Sequence, residues 1–258
     1  MLDFPSDPRN ALAGFVRSLE YDASFAIIAE QVQPALQNMD LKGVPPLRFG
    51  SDDHIPAIKQ EFAGLGARFA FISMITRFEG YLWRLLHHRY VVEAIAKHPN
   101  ELIRGPEYLK IRKMVRRETR KGIATVLGTE VVRKPSADLK NTLPWLEGLI
   151  RVRNCLMHRG GVVQLEDTEP ENELTIPWVD TRMLLNGQEI KLPHIGGGHL
   201  IVKPEMTTRT WKVGQVIHFS ATELQDVAFA LARVAQGVER EFEVEILPLA
   251  KELAGNQS

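Results

Sequence analysis

The chain has 258 residues, 44% of them hydrophobic, and its 32 basic and 32 acidic side chains cancel. That is enough apolar material for one large domain or two small ones, and the charge balance excludes a global field aimed at a polyanion. The single cysteine, Cys155, excludes an internal disulfide and a multi-cysteine zinc site. Met1–Pro5 carries no basic, apolar leader and no stretch reaches membrane length, so a soluble, cytoplasmic protein with no membrane partner is expected.

Asp7-Pro8 reads as a helix N-cap followed by proline at the first helical position. Leu12, Phe15, Val16, Leu19, Phe25, Ile28 and Val32 recur at helical spacing, and Pro34 with the Pro45-Pro46 pair is expected to end this unit. Residues 38–52 read as a loop broken by Gly43 and Gly50. From Asp53 to about His98 the pattern is helical again. Phe62, Leu65, Phe69, Ile72, Ile75, Leu82, Trp83 and Leu86 form a broad apolar face, and Gly64 and Gly66 are positions for a kink. Glu79 lies within that stripe, where an acid is seldom left unpaired. It is expected either to reach water from the stripe's edge or to hold a cation of a later helix, Arg153. His87 and His88 stand about a quarter turn apart on a helix, make a poor metal pair, and read as surface residues beside Arg89.

Residues 104–121 form a helix of another kind. Arg104, Lys110, Arg112, Lys113, Arg116, Arg117, Arg120 and Lys121 stand against only Glu107 and Glu118, with Leu109, Ile111, Met114 and Val115 as apolar contacts. Such a run is either a solvated face or a phosphate-binding patch, and contact with a phosphate backbone through Arg112, Arg116, Arg117 and Arg120 is the functional expectation.

Residues 128–142 read as a loop, with Pro144 in the first turn of the next helix and Thr142 or Asn141 as its cap. Leu146, Leu149, Ile150, Leu156 and Met157 supply that helix's buried side, and with Cys155 they cover more than one face, which leaves one for a two-fold partner. The helix closes on Arg151-Val-Arg-Asn-Cys-Leu-Met-His-Arg-Gly-Gly161.

Beyond Gly161 the period changes to two. Val162–Leu165 reads as a short strand, residues 166–173 as an acidic turn, and Leu174–Val179 as an edge strand because Pro177 removes a ladder donor. Met183–Leu192 is the clearest hairpin, with Asn186-Gly187 suited to a type I′ turn. His194 to His199 flank a triple glycine and read as a hairpin tip, since the lysine and strand–helix setting of a phosphate loop are missing. Thr207–Lys212 and Gln215–Phe219 are further strands, with Gly214 between them. Ser220-Ala-Thr-Glu223 is a capping box opening a helix through Leu224, Val227, Leu231, Val234, Val238 and Phe242, which is expected to end near Pro248. The predicted fold is mainly α: a single domain, 1–258, with a helical bundle over 1–161 and 220–250 and a β-rich insertion at 162–219.

Arg153, Asn154 and His158 carry the chemistry. RNA brings its own nucleophile, the ribose 2′-hydroxyl, so cleavage needs a base, an acid and positive charge for the crowded phosphorane. The imidazole of His158 is a side chain that can serve as base or acid. Arg153 offers a permanently charged fork of donors matched to phosphate oxygens. Asn154 and His158 are four apart and share a helix face, in the last turn where the helix dipole favours a cation. The same residues also suit a plain helix end whose carbonyls need donors. No metal or cofactor is required.

The pattern Arg153-Asn154-x-x-x-His158, behind an apolar helix and before a glycine pair, resembles the signature of the HEPN superfamily, helical-bundle proteins of which many are metal-independent endoribonucleases. The resemblance covers roughly residues 60–160 and 215–247. It implies an up-and-down HEPN-like bundle and a homodimer with two signatures facing one cleft, so that one histidine per chain serves both proton-transfer roles. It implies Arg153 and His158 as the catalytic pair, Asn154 as the residue that positions them, RNA as substrate, a regulatory protein partner, and a setting in defence or stress response. The chain has no nucleotidyltransferase signature of the kind that often accompanies HEPN toxins. Some members of the superfamily do not cut RNA, and the alternative is a non-catalytic module binding RNA, a nucleotide or a protein.

Overall fold

Helical periodicity governs most of the chain in the computed structural model, which describes residues 8–38, 55–97, 105–168, 172–185, 188–190 and 200–255. In order these form α1 (Pro8–Asn38), α2 (Ile55–Lys97), α3 (Gly105–Glu118) running into a 3-10 turn (Thr119–Lys121), and α4 (Ile123–Val126) running into a π-turn (Leu127–Val131). α5 (Ala137–Arg159), a 3-10 turn (Leu165–Asp167), β1 (Glu173–Leu185), β2 (Gln188–Ile190), β3 (Leu200–Lys212) and α6 (Ala221–Gly255) follow. The fold is mainly α, with one antiparallel sheet of order β2-β1-β3 among the described residues. No described helix is long and apolar enough to cross a membrane.

The chain divides into two compact units. The first is Met1–Ser18, Ile75–Ile150 and Leu231–Ser258; the second is Leu19–Met74 and Arg151–Ala230. In the first, Phe15 stacks on Tyr81 at 5.3 Å and meets Phe78 at 5.5 Å, while the Tyr81 hydroxyl donates to Ala235 O at 3.1 Å. Trp145, Leu146 and Leu149 of α5 and Val238 and Phe242 of α6 complete that core. In the second, Phe71, Phe219 and Trp178 form a continuous stack with spacings of 4.7 and 5.7 Å. Arg209 lies over Trp178 at 4.5 Å and pairs with Glu223 near the start of α6, fixing β3 to that helix.

Several boundaries differ from the sequence expectation. Pro34 does not end α1; the helix continues to Asn38, whose side-chain amide donates to Pro34 O at 3.2 Å. Gly66 lies inside the unbroken α2. It lets α1 approach, because a Cβ there would stand 2.7 Å from the Ala29 Cβ. Of the expected apolar face, Ile75, Leu82 and Leu86 are buried and Leu65, Phe69 and Trp83 are exposed, while Ala70, Phe71, Met74, Phe78 and Leu85 are buried as well. His87 and His88 do not lie on the surface but are half-buried, and α2 continues through buried Arg89 to Lys97.

Residues 128–142 are not a loop. Their first part is the π-turn, and α5 starts at Ala137, seven residues before Pro144. Its cap is Ser136 rather than Asn141 or Thr142: the Leu139 N–H donates to Ser136 Oγ at 3.2 Å, and Ser136 Oγ donates to Glu241 at 2.5 Å. Pro144 lies inside the helix.

Val162–Leu165 is not a strand; Val162 makes an isolated bridge to Val216, and Gln215–Phe219 contributes only that bridge. β1 is the middle strand, yet around Pro177 it pairs only with β3, since β2 meets it at Met183–Leu185 alone. Pairing of Leu185 with Gln188 gives the expected two-residue hairpin connection. The Asn186-Gly187 turn itself and the His194–His199 segment lie outside the described residues. The Ser220 capping box is present, with Ser220 N–H to Glu223 Oε2 at 2.7 Å and Glu223 N–H to Ser220 Oγ at 3.3 Å. α6 runs past Pro248 to Gly255.

Candidate functional site

The C-terminal half of α5 belongs to the second unit. Val152, Cys155 and Leu156 fix its buried face, which turns Arg153, Asn154 and His158 outward. The helix stops at a glycine pair because the chain must take φ of +60° at Gly160 and +85° at Gly161, a conformation that glycine adopts without steric cost. Three contacts hold the stop. The Gly161 N–H returns to Cys155 O at 3.2 Å, and the Ile217 N–H donates to Gly161 O at 2.8 Å. From α2, Arg68 Nη1 donates to Gly160 O at 3.0 Å.

Asp167 completes the frame. Its carboxylate pairs with Arg159 and accepts the Gln164 N–H at 3.0 Å. Its backbone carbonyl accepts Arg151 Nη2 at 3.0 Å, and Arg151 Nη1 reaches Thr175 O at 3.4 Å. Two arginines of the segment are thereby committed to holding the helix end against the turn that follows. Cys155 is buried with its thiol 3.5 Å from Val162 O. Burial, then the charge and hydrogen bond of Asp167, push that thiol up to about 12, against the opposing charge of Arg159. A thiol so protonated is a packing group and not a nucleophile.

The three remaining polar residues form the candidate site. Arg153 Nη2 donates to Asn154 Oδ1 at 3.2 Å, and both side chains are half-buried. His158, one turn on from Asn154, is exposed and makes no hydrogen bond or ion pair among the described residues. The arrangement offers a fixed guanidinium fork and an accessible imidazole on a rigid helix end. Glu79 is half-buried on α2 and belongs to the first unit. Among the described residues no three His, Cys, Asp or Glu side chains gather as metal ligands.

The basic residues Arg112, Arg116, Arg117 and Arg120 are exposed on α3 and the 3-10 turn after it. Buried Glu118 organises this end: its carboxylate accepts Arg117 Nε at 3.0 Å and pairs with Lys121. Those hydrogen bonds, led by Lys121, hold it below the usual carboxylate range despite burial. Arg112, Arg116 and Arg120 meet no acid among the described residues.

Of the apolar residues expected to cover more than one face of α5, Leu146, Leu149 and Cys155 are buried, Ile150 is half-buried and Met157 is exposed. Asp167, Arg68 and Arg159 were not singled out from sequence. The one available signal was the three-residue spacing from Gln164 to Asp167, which repeats the spacing of a capping box. No protein-family model, no curated protein and no solved structure matches the chain.

Proposed function

We propose that the end of α5 is the active centre of a metal-independent endoribonuclease, the chemistry implied by the HEPN-like pattern Arg153-Asn154-x-x-x-His158. The observation that carries the reading is the exposed imidazole of His158 one turn from an Arg153–Asn154 pair, on a helix end fixed by Asp167, Arg68 and Ile217. In the reaction His158 takes the proton of the ribose 2′-hydroxyl. The 2′-oxygen attacks phosphorus, the bond to the 5′-oxygen breaks, and that oxygen leaves with a proton from an acid. The products are a 2′,3′-cyclic phosphate and a 5′-hydroxyl. Arg153 carries the charge of the phosphorane, and Asn154 orients Arg153. A second copy of the chain supplies the acid across a dimeric cleft, and the exposed cations of α3 bind phosphates without reading sequence.

The test is incubation of the purified protein with single-stranded and structured RNA in EDTA. Cyclic-phosphate ends that disappear in His158→Ala support the reading. Equal cleavage by both proteins points to a contaminant, and RNA binding without cleavage assigns the site to a binding module instead.

A further inference from the structure

Six large apolar side chains of the second unit stand in solvent along two neighbouring helices. Tyr21, Phe25, Ile28 and Val32 line α1, and Leu65 and Phe69 line α2; Tyr21 is 75% and Phe69 64% exposed. The two rows are one surface. The Phe25 ring meets Phe69 edge-on at 6.0 Å, and the backbones close to the limit that Gly66 allows against Ala29. Further along, the Ala63 N–H donates to Gln33 Oε1 at 2.8 Å.

Neither row belongs to the core, because α1 buries Leu19, Ala23, Ala26 and Ala29 and α2 buries Ala67, Ala70 and Phe71. The α1 row steps by four, three and four residues, the spacing with which one helix packs a seam against another. Ser24 and Gln31 are exposed within that row, and no charged residue interrupts it. The other exposed apolar residues sit differently, for example Leu109 on α3, Met206 on β3 and Val244 on α6.

We propose that this face binds a second copy of the chain, so that the α1–α2 pairs of two protomers form a four-helix interface. It rests on the preceding reading only in naming a dimer; the face itself is argued from exposure and spacing. Scaled by the ~200 Å² that an aromatic side chain buries, the six exposures come to roughly 650 Å² of apolar surface. With its polar rim such a patch approaches the ~800 Å² per partner of a stable interface. A seam free of charge is complementary to itself, as a two-fold contact requires. Copies with 32 basic and 32 acidic residues also meet no net repulsion.

Sedimentation equilibrium on the full chain tests this with two double variants, Ile28→Glu/Phe69→Glu and Ile28→Lys/Phe69→Lys. The wild type is expected to be a dimer at micromolar concentration. Each variant should be a monomer, its association weakened at least ~100-fold, with an unchanged circular dichroism spectrum because both positions are exposed. An equimolar mixture of the two should recover the dimer mass, since each introduced carboxylate then faces ammonium groups whatever the register. Met206→Glu should remain dimeric. A monomeric wild type, variants that dimerise as before, or a mixture that stays monomeric would overturn the proposal. A dimer that leaves RNA intact removes only the ribonuclease reading, and double variants that stay dimeric while the wild type cuts RNA remove only this one.

Discussion

Arg89 and the Arg153–His158 helix end show two opposite uses of positive charge in one chain. Arg89 is 2% exposed in the first unit. Its Nη2 donates to Val131 O at 2.8 Å and Glu245 Oε2 at 2.5 Å, Glu93 lies 3.6 Å from Nη1, and the Phe242 ring lies 5.4 Å beneath. Burying a guanidinium demands that many partners, because an unpaired charge out of water is costly. The result is a cation wholly committed to the fold. In the second unit Arg151 and Arg159 take up the structural work, and His158 is left in solvent. An available polar group on a rigid support is what a binding or catalytic site needs. The difference explains why a cation's presence in a sequence says little about its role until its partners are known.

The sharpest way to break this contrast is to remove one member from each side. His158→Ala is expected to lower RNA cleavage by ~10² to 10⁴-fold and to move unfolding by no more than ~0.5 kcal/mol; parallel cleavage and urea titrations check both halves. Arg89→Ala should do the reverse, costing ~3 to 5 kcal/mol of stability by leaving Glu245 without its cation and Glu93 with Arg133 alone, read from the urea midpoint. Acid attacks the same cluster. Burial raises the Glu245 carboxyl, but hydrogen bonds from the Lys134 N–H, Arg89 and the Arg133 N–H outweigh it and hold the group below its usual 4.5. Its stabilisation is therefore complete above pH 4.5 and lost as the pH falls through the lower folded value. His87 adds to this, since burial, then Arg112 and His88, depress it below 6.5, so the unfolded chain binds that proton first. Thermal melts from pH 7 to 3 should fall in Tm over those two windows.

Smaller effects sharpen the frame around the site. Gly161→Ala should cost ~1 to 2 kcal/mol, because φ is +85° and the new methyl would stand 3.1 Å from Leu156 Cδ2. Gly64→Ala, in open space on a helix, should gain ~0.5 to 1 kcal/mol; thermal denaturation of both variants decides the sign. Least of all, Arg116→Ala should flatten the log–log dependence of RNA affinity on salt by about one unit. Arg117→Ala should flatten it less, since Arg117 is already held by Glu118. Filter binding at a series of salt concentrations measures the two slopes.

Legibility in the sequence followed the range of the interactions. The Ser220–Glu223 capping box, the basic helix 105–118 and the glycine stop after α5 depend on neighbours a few residues away, and all were readable. Prolines misled. Pro34 and Pro248 read as helix ends and Pro144 as a first-turn residue, yet each lies well inside its helix. Nothing near Arg89 in the sequence marks it for burial, because its partners lie 42 and 156 positions away. At the site, spacing puts Asn154 and His158 on one helix face, and the HEPN-like resemblance adds Arg153. What fixes that helix end was not legible, since Arg68 lies 92 positions from Gly160.

The Asp167 frame bears on the order of folding. Its ties to Arg151, Arg159 and Gln164 close loops of 16, 8 and 3 residues. Short loops lose little chain entropy on closing and form within ~10 to 100 ns in an open chain. The turn that carries the proposed chemistry is therefore among the cheapest parts of the molecule to nucleate, whereas the Arg89 cluster waits until the two ends of a 156-residue loop meet.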